Sequence, residues 1–394
     1  MISKKLRITL FTTLVLPIVL TAVFPSDGNA QSGGGGESAV PFLLIAPNAR
    51  ADGMGEAGAA LADDGAASYW NPGGLAFEKF QEVSITHSNW LPQFHLADLF
   101  YEYFAYRNYI ESWGGTVSGS LIYLNLGTFE RRDESNNDLG TFKAFEFAVT
   151  GGYSVKVHRD VGLGLNLRFI YSALDPSGNS QNQGQRGVAS TVSFDIGALY
   201  NPSSIVLPFV GDIQDRFSVG MNLSNLGPKL KYIQQSQSDP LPTNIRLGLA
   251  YKVVKSDYNN ITAVVDFSRL LVRRYGNDTI RNTDGAIVRI TDPHVDDLPK
   301  SLFSAWGSGG LRKVTIATGL EYWYGKPKLF ALRFGYFYED PNYGNRKFIT
   351  FGAGIRYDIY GFDFSYLSAS EENHPLSETL RFTLLIRWGG EEQD

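Results

Sequence analysis

The chain has 394 residues, with 35 basic and 40 acidic side chains, a net charge of −5 and no cysteine. This weakly acidic balance lacks the basic footprint of a nucleic-acid-binding protein, and the absence of cysteine excludes disulfides and thiol chemistry. Forty-two glycines, 26 phenylalanines and 21 tyrosines, at a mean hydropathy of only −0.14, are typical of a β-barrel in which alternation dilutes the apolar residues.

Residues 1–30 have the pattern of a secretory signal peptide. Three basic residues precede an apolar run over 8–24 and small residues at a cleavage site: Lys4, Lys5, Arg7 and 28–30. A stop-transfer helix is the alternative, but Pro17 interrupts the run, which is short for a span. We therefore expect cleavage after Ala30. No later apolar run reaches about 20 residues, which excludes a helical membrane protein.

Residues 31–80 precede the first predicted strand and begin with a flexible spacer over 31–38. The run Gly53-Met54-Gly55-Glu56-Ala57-Gly58 matches the GxGxxG pattern of dinucleotide-binding proteins. A short Ala-rich stretch and then strands follow it, so the βαβ unit that would confirm nucleotide binding is missing. We expect a compact, backbone-dense segment and no cofactor.

Fourteen strand-like segments follow. In the last, apolar Phe382, Leu384 and Ile386 alternate with polar Arg381 and Thr383, which places the two sets on opposite faces of a strand. This pattern is typical of a strand in a transmembrane barrel, with its apolar face in lipid and its polar face in the lumen. The segments lie at about 81–88, 97–107, 115–126, 142–157, 161–172, 188–200, 216–224, 243–252, 258–270, 312–324, 329–338, 347–357, 361–368 and 379–388.

The connections separate a membrane barrel from a soluble β-sandwich, which would also alternate. Short turns are expected near 158–160, 253–257, 325–328 and 358–360, and long polar loops near 128–141, 173–187, 225–242, 271–311, 339–346 and 369–378. Outer-membrane barrels have short periplasmic turns, long external loops and an even strand number. The sequence thus predicts an all-β, 14-stranded transmembrane antiparallel barrel over 81–388, with an acidic tail, 389–394, in the periplasm.

Few residues suggest chemistry. The five histidines are scattered and none has a metal-ligand spacing. His87 beside Ser88 is a candidate for a rim lipid hydrolase, although these are equally ordinary rim residues. Carboxylates in the loop 271–311 could bind calcium, but the spacing is no EF-hand and arginines intervene, so we favour a solvated or partner-facing loop. They are Asp278, Asp284, Asp292, Asp296 and Asp297.

A resemblance to a known family adds to this reading. Residues 39–55 read Ala-Val-Pro-Phe-Leu-Leu-Ile-Ala-Pro-Asn-Ala-Arg-Ala-Asp-Gly-Met-Gly, and Trp70-Asn71-Pro72 follow. They closely resemble the PorV proteins of the type IX secretion system, outer-membrane barrels of the FadL-like superfamily. The similarity continues through 225–229, 244–248, 333–337 and 375–382. One departure is Gly73, where the family commonly has Ala.

The resemblance implies a fourteen-stranded FadL-like barrel whose N-terminal segment, 31–80, forms a periplasmic or lumenal plug. Gly53, Met54, Gly55, Asn71 and Pro72 would be its structural motif. It implies no enzymatic activity, no metal and no cofactor. The protein would lie in the outer membrane of a Gram-negative bacterium of the Bacteroidetes type, in contact with lipid.

In type IX secretion, such a protein resembles a cargo shuttle. It would sit beside the translocon barrel, receive exported proteins through their C-terminal signal domains and deliver them to the sortase, or attachment, complex. Loop aromatics Tyr232, Tyr275, Trp306 and Tyr343 are candidate partner contacts, or alternatively interfacial girdle residues. A FadL-type channel for hydrophobic small molecules is the alternative function, which an apolar cavity under residues 53–72 would favour.

Overall fold

The computed structural model describes ten stretches of the chain. These are residues 38–94, 98–132, 135–176, 187–207, 211–232, 238–275, 278–281, 287–291, 294–371 and 374–389. The predicted signal peptide and the tail beyond Gly389 lie outside the described residues.

Fourteen long strands of the described residues form one closed antiparallel barrel in which sequence neighbours pair throughout. The first strand closes on the last, with Gln81 opposite Trp388 and Ser88 opposite Arg381. Each predicted segment overlaps one strand, so the predicted fold class is confirmed. The strands are β1 Gln81–Asn89, β2 Phe100–Ile110, β3 Gly115–Arg132, β4 Asp138–His158, β5 Val161–Asp175, β6 Gly187–Tyr200, β7 Phe217–Leu226, β8 Asn244–Lys255, β9 Asn259–Leu270, β10 Val314–Tyr324, β11 Phe330–Tyr338, β12 Lys347–Tyr357, β13 Tyr360–Ala369 and β14 Thr379–Trp388.

The two faces of the strands follow the predicted alternation. In β14, outward-facing Leu384 is 58% exposed, whereas inward-facing Arg381 and Thr383 are 1% and 4% exposed. In β11, Leu332 and Phe334 face outward in the same way. Closure pairs the backbone groups of every strand, which a bilayer requires because its interior offers no water to hydrogen-bond them.

The N-terminal segment, residues 38–80, contains short helices rather than strands. It packs against inward-facing side chains of the barrel: Phe42 and Trp70 join Tyr101 and Tyr103 of β2, and Met54 joins Phe337 of β11. None of the helices among the described residues has the length and apolarity to cross a membrane. The helical elements are a 3₁₀ turn at Pro41–Leu44, α1 at Ala49–Asp52, α2 at Ala67–Trp70 and a 3₁₀ helix at Pro72–Phe77.

The predicted loop at 128–141 is wrong. Strand β3 runs on to Arg132 and β4 begins at Asp138, so the two form a hairpin that continues beyond the neighbouring strands. Phe129 lies opposite Phe142 in this extension, and their rings stack with centroids 5.6 Å apart. Its Asn- and Asp-rich sequence suggested a loop because such residues favour turns, but cross-strand pairing outweighs that local preference.

Other connections contain small elements of their own. In the β9–β10 connection, α3 at Leu298–Ser304 is followed by 3₁₀ turns at Ala305–Gly307 and Gly310–Lys313. Two more 3₁₀ turns lie at Pro92–Phe94 and Glu111–Trp113. Short hairpins pair Val206–Leu207 with Gly211–Asp212, Leu230–Lys231 with Ser238–Asp239, Arg274–Tyr275 with His294–Val295 and Asp278–Arg281 with Ile287–Thr291.

Candidate functional site

The Gly53-Met54-Gly55 motif lies directly against the barrel wall. A Cβ built on Gly335 would lie 2.0 Å from the Gly55 nitrogen, and one on Gly319 would lie 2.5 Å from the Met54 Cβ. Gly55 has a φ of +69° and donates its N–H to Thr350 Oγ1 at 2.9 Å. Glycines on the inward face thus let two backbones meet where a side chain would hold them apart.

Asn71 and Pro72 contact the opposite side of the wall. Asn71 Nδ2 donates to the carbonyls of Ala59 and Ala198, both at 2.9 Å, which ties the segment to itself and to β6. The Pro72 carbonyl accepts a hydrogen bond from Ser154 Oγ of β4 at 2.7 Å. The two predicted motifs are therefore held by different strands of the barrel.

A buried chain of charges connects α1 with three strands. Arg50 donates to both carboxylate oxygens of Glu321, at 2.7 and 2.8 Å, and Arg333 donates to the same carboxylate at 2.9 Å. Arg333 also donates to Asp363 at 2.8 Å. Such charges are stable inside a protein only when each has an opposite partner. This series of ion pairs therefore holds α1 against that part of the barrel wall.

Two further contacts complete the polar interior beside the segment. Asp52 pairs with Arg381 of β14 and accepts a hydrogen bond from Ser365 Oγ at 2.6 Å. Asp266 of β9 accepts the backbone N–H groups of Gly58 and Ala59, each at 2.9 Å. Residues 53–72 thus meet polar groups of the wall in addition to the apolar side chains packed around Met54 and Trp70. Sequence reasoning found the polar inward face but not these partners.

The long β9–β10 connection is organised by one carboxylate. Asp296 is buried and accepts hydrogen bonds from Tyr275 Oη at 3.1 Å, Ser304 Oγ at 2.6 Å and Lys300 Nζ at 2.7 Å. Burial by itself raises the pKa of Asp296, but the hydrogen bonds from Lys300, Ser304 and Tyr275 outweigh it and hold that pKa below its ordinary value. Tyr275 also stacks on His294 with ring centroids 4.4 Å apart.

Trp306 lies at the outer part of the same connection and is 50% exposed. Its ring lies under the Arg269 guanidinium, 4.8 Å from ring centroid to Cζ. Phe303 and Leu311 nearby are 80% and 85% exposed. We name these three apolar side chains, Phe303, Trp306 and Leu311, the loop patch. Exposed apolar groups of this kind mark contact surfaces when they occur together.

The other two candidate aromatics are more enclosed. Tyr232 is half-buried, donates its hydroxyl to Ser172 Oγ at 2.8 Å, and has its pKa raised to about 12 by burial. Tyr343 lies in the β11–β12 connection, with Lys313 Nζ 5.3 Å from its ring centroid. The structure therefore brings Tyr275 and Trp306 together on one connection and leaves Tyr232 and Tyr343 on others.

The candidate catalytic and metal-binding residues do not come together in one site. His87 faces outward and contacts Glu102 at 2.7 Å, whereas Ser88 is buried on the inward face, so the two cannot form a Ser/His pair. Asp296 is paired with Lys300, and Asp297 with Lys229 at 2.9 Å. Asp284 and Asp292 lie outside the described residues, and within those described no group of three His, Asp or Glu side chains could hold a metal.

Comparison with known proteins gives a family. A family model described as "Type IX secretion system protein PorV" matches residues 31–275. No curated protein matches the chain.

Solved structures share the fold at low identity. The deltaS2 mutant of the monoaromatic hydrocarbon channel TodX has a TM-score of 0.51 and 12% identity, covering 87% of this chain and 97% of that one. The Ralstonia pickettii toluene transporter TbuX has a TM-score of 0.49 and 11% identity, covering 88% and 99%. A Pseudomonas aeruginosa FadL homologue has a TM-score of 0.46 and 12% identity, covering 87% and 98%. Since the family model matches more than half of the chain, this closed β-barrel belongs to the PorV family of the type IX secretion system.

Proposed function

We propose that this chain is a cargo carrier of type IX secretion. It sits beside the translocon barrel, binds exported proteins through their C-terminal signal domains and passes them to the sortase complex. Membership of the PorV family carries this proposal. The chain itself makes and breaks no bond. We further propose that cleavage after Ala30 releases it into the periplasm of a Gram-negative bacterium of the Bacteroidetes type before it enters the outer membrane.

The loop patch is the surface that we assign to partner contact. Phe303, Trp306 and Leu311 are exposed on the longest connection of the barrel, on the rim that carries the long loops. Outer-membrane barrels place that rim outside the cell. Asp296 ties the start of this connection to α3, because it accepts hydrogen bonds from both Tyr275 and Ser304. Exposed aromatic side chains on a rigid base suit recognition of a folded domain.

We also propose that the N-terminal segment acts as a plug. Its backbone meets wall glycines, and its charged residues pair with wall residues on β10, β13 and β14. A conduit for hydrophobic small molecules would instead need an apolar cavity under residues 53–72. Asp266 and Ser154 of the wall instead hold the segment by hydrogen bonds, and these polar contacts favour the carrier over the channel.

The test is recovery of cargo with the purified protein. A tagged wild-type chain, expressed in a strain lacking the native copy, is expected to co-purify with exported proteins that carry the C-terminal signal domain. The double variant F303A/W306A is expected to lose them. W113A is the matched control, because Trp113 is 63% exposed but lies in the short turn between β2 and β3 on the opposite rim. Normal surface display of cargo in the deletion strain would refute the proposal.

A further inference from the structure

A cavity of about 580 Å³ lies at the rim of the short turns, bounded by the end of the N-terminal segment, the β8–β9 turn and the β10–β11 turn. Ligand sites in proteins usually occupy about 300 to 1,000 Å³. We name this cavity the vestibule. Because barrels of this class place their short turns in the periplasm, the vestibule opens to the periplasm.

Five lysines line the vestibule: Lys79, Lys252, Lys255, Lys326 and Lys328. Lys255 pairs with Asp215 at 3.6 Å. The other four are exposed, and among the described residues none of these four has a carboxylate within 4.0 Å. Lys252 is at an inward-facing position of β8, in register with the buried Gly248 and Ala250. Its charge is therefore directed to the barrel opening rather than to the lipid face.

Three carboxylates of the vestibule are already paired with arginines. Asp63 and Glu321 pair with Arg50, and Glu78 pairs with Arg107. Among the lining carboxylates, this leaves Asp257 to face four ammonium groups. Like charges around a concave opening reinforce one another and attract anions from solution.

Aromatic surface lies beside the cations. Lys328 Nζ is 5.5 Å from the ring centroid of Trp323, and Arg387 is 5.3 Å from that of Phe80. Both rings line the vestibule. The Trp323 indole nitrogen is buried and has no hydrogen-bond acceptor among the described residues. The lining therefore offers positive charge and aromatic surface in one cavity.

We propose that the vestibule binds an acidic peptide segment of a periplasmic protein. Acidic side chains of the segment pair with Lys79, Lys252, Lys326 and Lys328, while interspersed apolar side chains pack on Phe80, which is partly exposed in the lining. Flexible lysines at several points of a wide opening suit carboxylates spread along a peptide better than one compact anion, for which a rigid arginine fork is the usual partner. This site is on the opposite rim from the loop patch, so it does not depend on the carrier function.

The test uses the full chain, purified in a neutral detergent, and a fluorescent peptide of the sequence Glu-Glu-Leu-Glu-Glu-Trp-Glu-Glu-Leu. Affinity is measured by fluorescence anisotropy. The double variant K252Q/K328Q is expected to bind at least about tenfold more weakly than the wild type. K143Q/K347Q removes the same charge from the opposite rim and is expected to bind like the wild type. Added salt is expected to weaken wild-type binding, since exposed charges are screened within about 10 Å at 0.1 M.

Three results would overturn the proposal. One is equal affinity for a peptide in which every Glu is replaced by Gln, which would mean that charge plays no role. Another is equal affinity of the two double variants. The third needs no variant: a photo-crosslinking form of the acidic peptide, bound to the wild-type chain, is expected to label the turn around Lys326 and Lys328, and labelling confined to the long-loop rim would place the peptide elsewhere.

Discussion

Gly335→Ala is the most direct test of how the N-terminal segment meets the barrel wall. The added Cβ would lie 2.0 Å from the Gly55 nitrogen, whereas ordinary contact begins at 3.4 Å, so the segment must move by about 1.4 Å. Overpacking of this kind costs about 1 to 3 kcal/mol. The movement also breaks the hydrogen bond of 2.9 Å from the Gly55 N–H to Thr350, which contributes about 1 kcal/mol. Together the destabilisation is about 2 to 4 kcal/mol.

Amide hydrogen exchange measures this loss locally. Exchange at residues 53–59 is expected to become about 30- to 700-fold faster in Gly335→Ala, which is the same free energy expressed as a population of the open segment. The control is Gly151→Ala in β4, where an added Cβ has no atom within 4 Å. The reasoning fails if the two variants protect residues 53–59 equally, because the close approach would then not hold the segment in place.

Three other predictions follow from charge and lipid contact. Glu321→Gln leaves Arg50 and Arg333 without their shared carboxylate, so it is expected to lower the free energy of unfolding in urea by about 3 to 5 kcal/mol. The control Glu130→Gln, at an exposed ion pair, is expected to change that free energy by less than about 1 kcal/mol. Because the pKa of Asp296 is depressed, its ionised carboxylate stabilises the β9–β10 connection fully above the ordinary pKa of about 3.9, and this stabilisation is lost as pH falls through the lower pKa of the folded state. Amide hydrogen exchange at residues 294–308 measures the loss, and Asp296→Asn is expected to remove this pH dependence. Leu384→Arg on the lipid face is expected to cost about 2 to 4 kcal/mol in folding into vesicles, and Phe129→Arg above the membrane much less.

The barrel could be predicted because its signal is periodic. Inward and outward residues alternate in β11 and β14 as the sequence indicates, and the alternation of short and long connections fixes the strand number without any knowledge of pairing. The extension of β3 and β4 could not be predicted in this way. Beyond the neighbouring strands both faces of the hairpin contact water, so apolar and polar residues need not alternate there, while the backbone pairing continues.

The interior contacts could not be predicted for a different reason. Arg50 and Glu321 are 271 residues apart, and Asp52 and Arg381 are 329 residues apart. Each appears in the sequence only as a polar residue, and local patterning carries no information about which distant charge lies opposite. The composition shows many glycines. That some of them face inward and allow contact with Met54 and Gly55 is visible only in the three-dimensional structure.

The 39–55 block, which carries the sequence resemblance to the family, also holds several residues that organise the barrel interior. Arg50, Asp52 and Gly55 all belong to the 39–55 block, and their partners lie on β10, β12, β13 and β14. The outward faces of those strands meet lipid, which is as apolar as their side chains and therefore distinguishes one packing from another only weakly. Specific structure in such a barrel must come from the inside. The short block 39–55 thus acts through strands about 270 to 330 residues later in the chain.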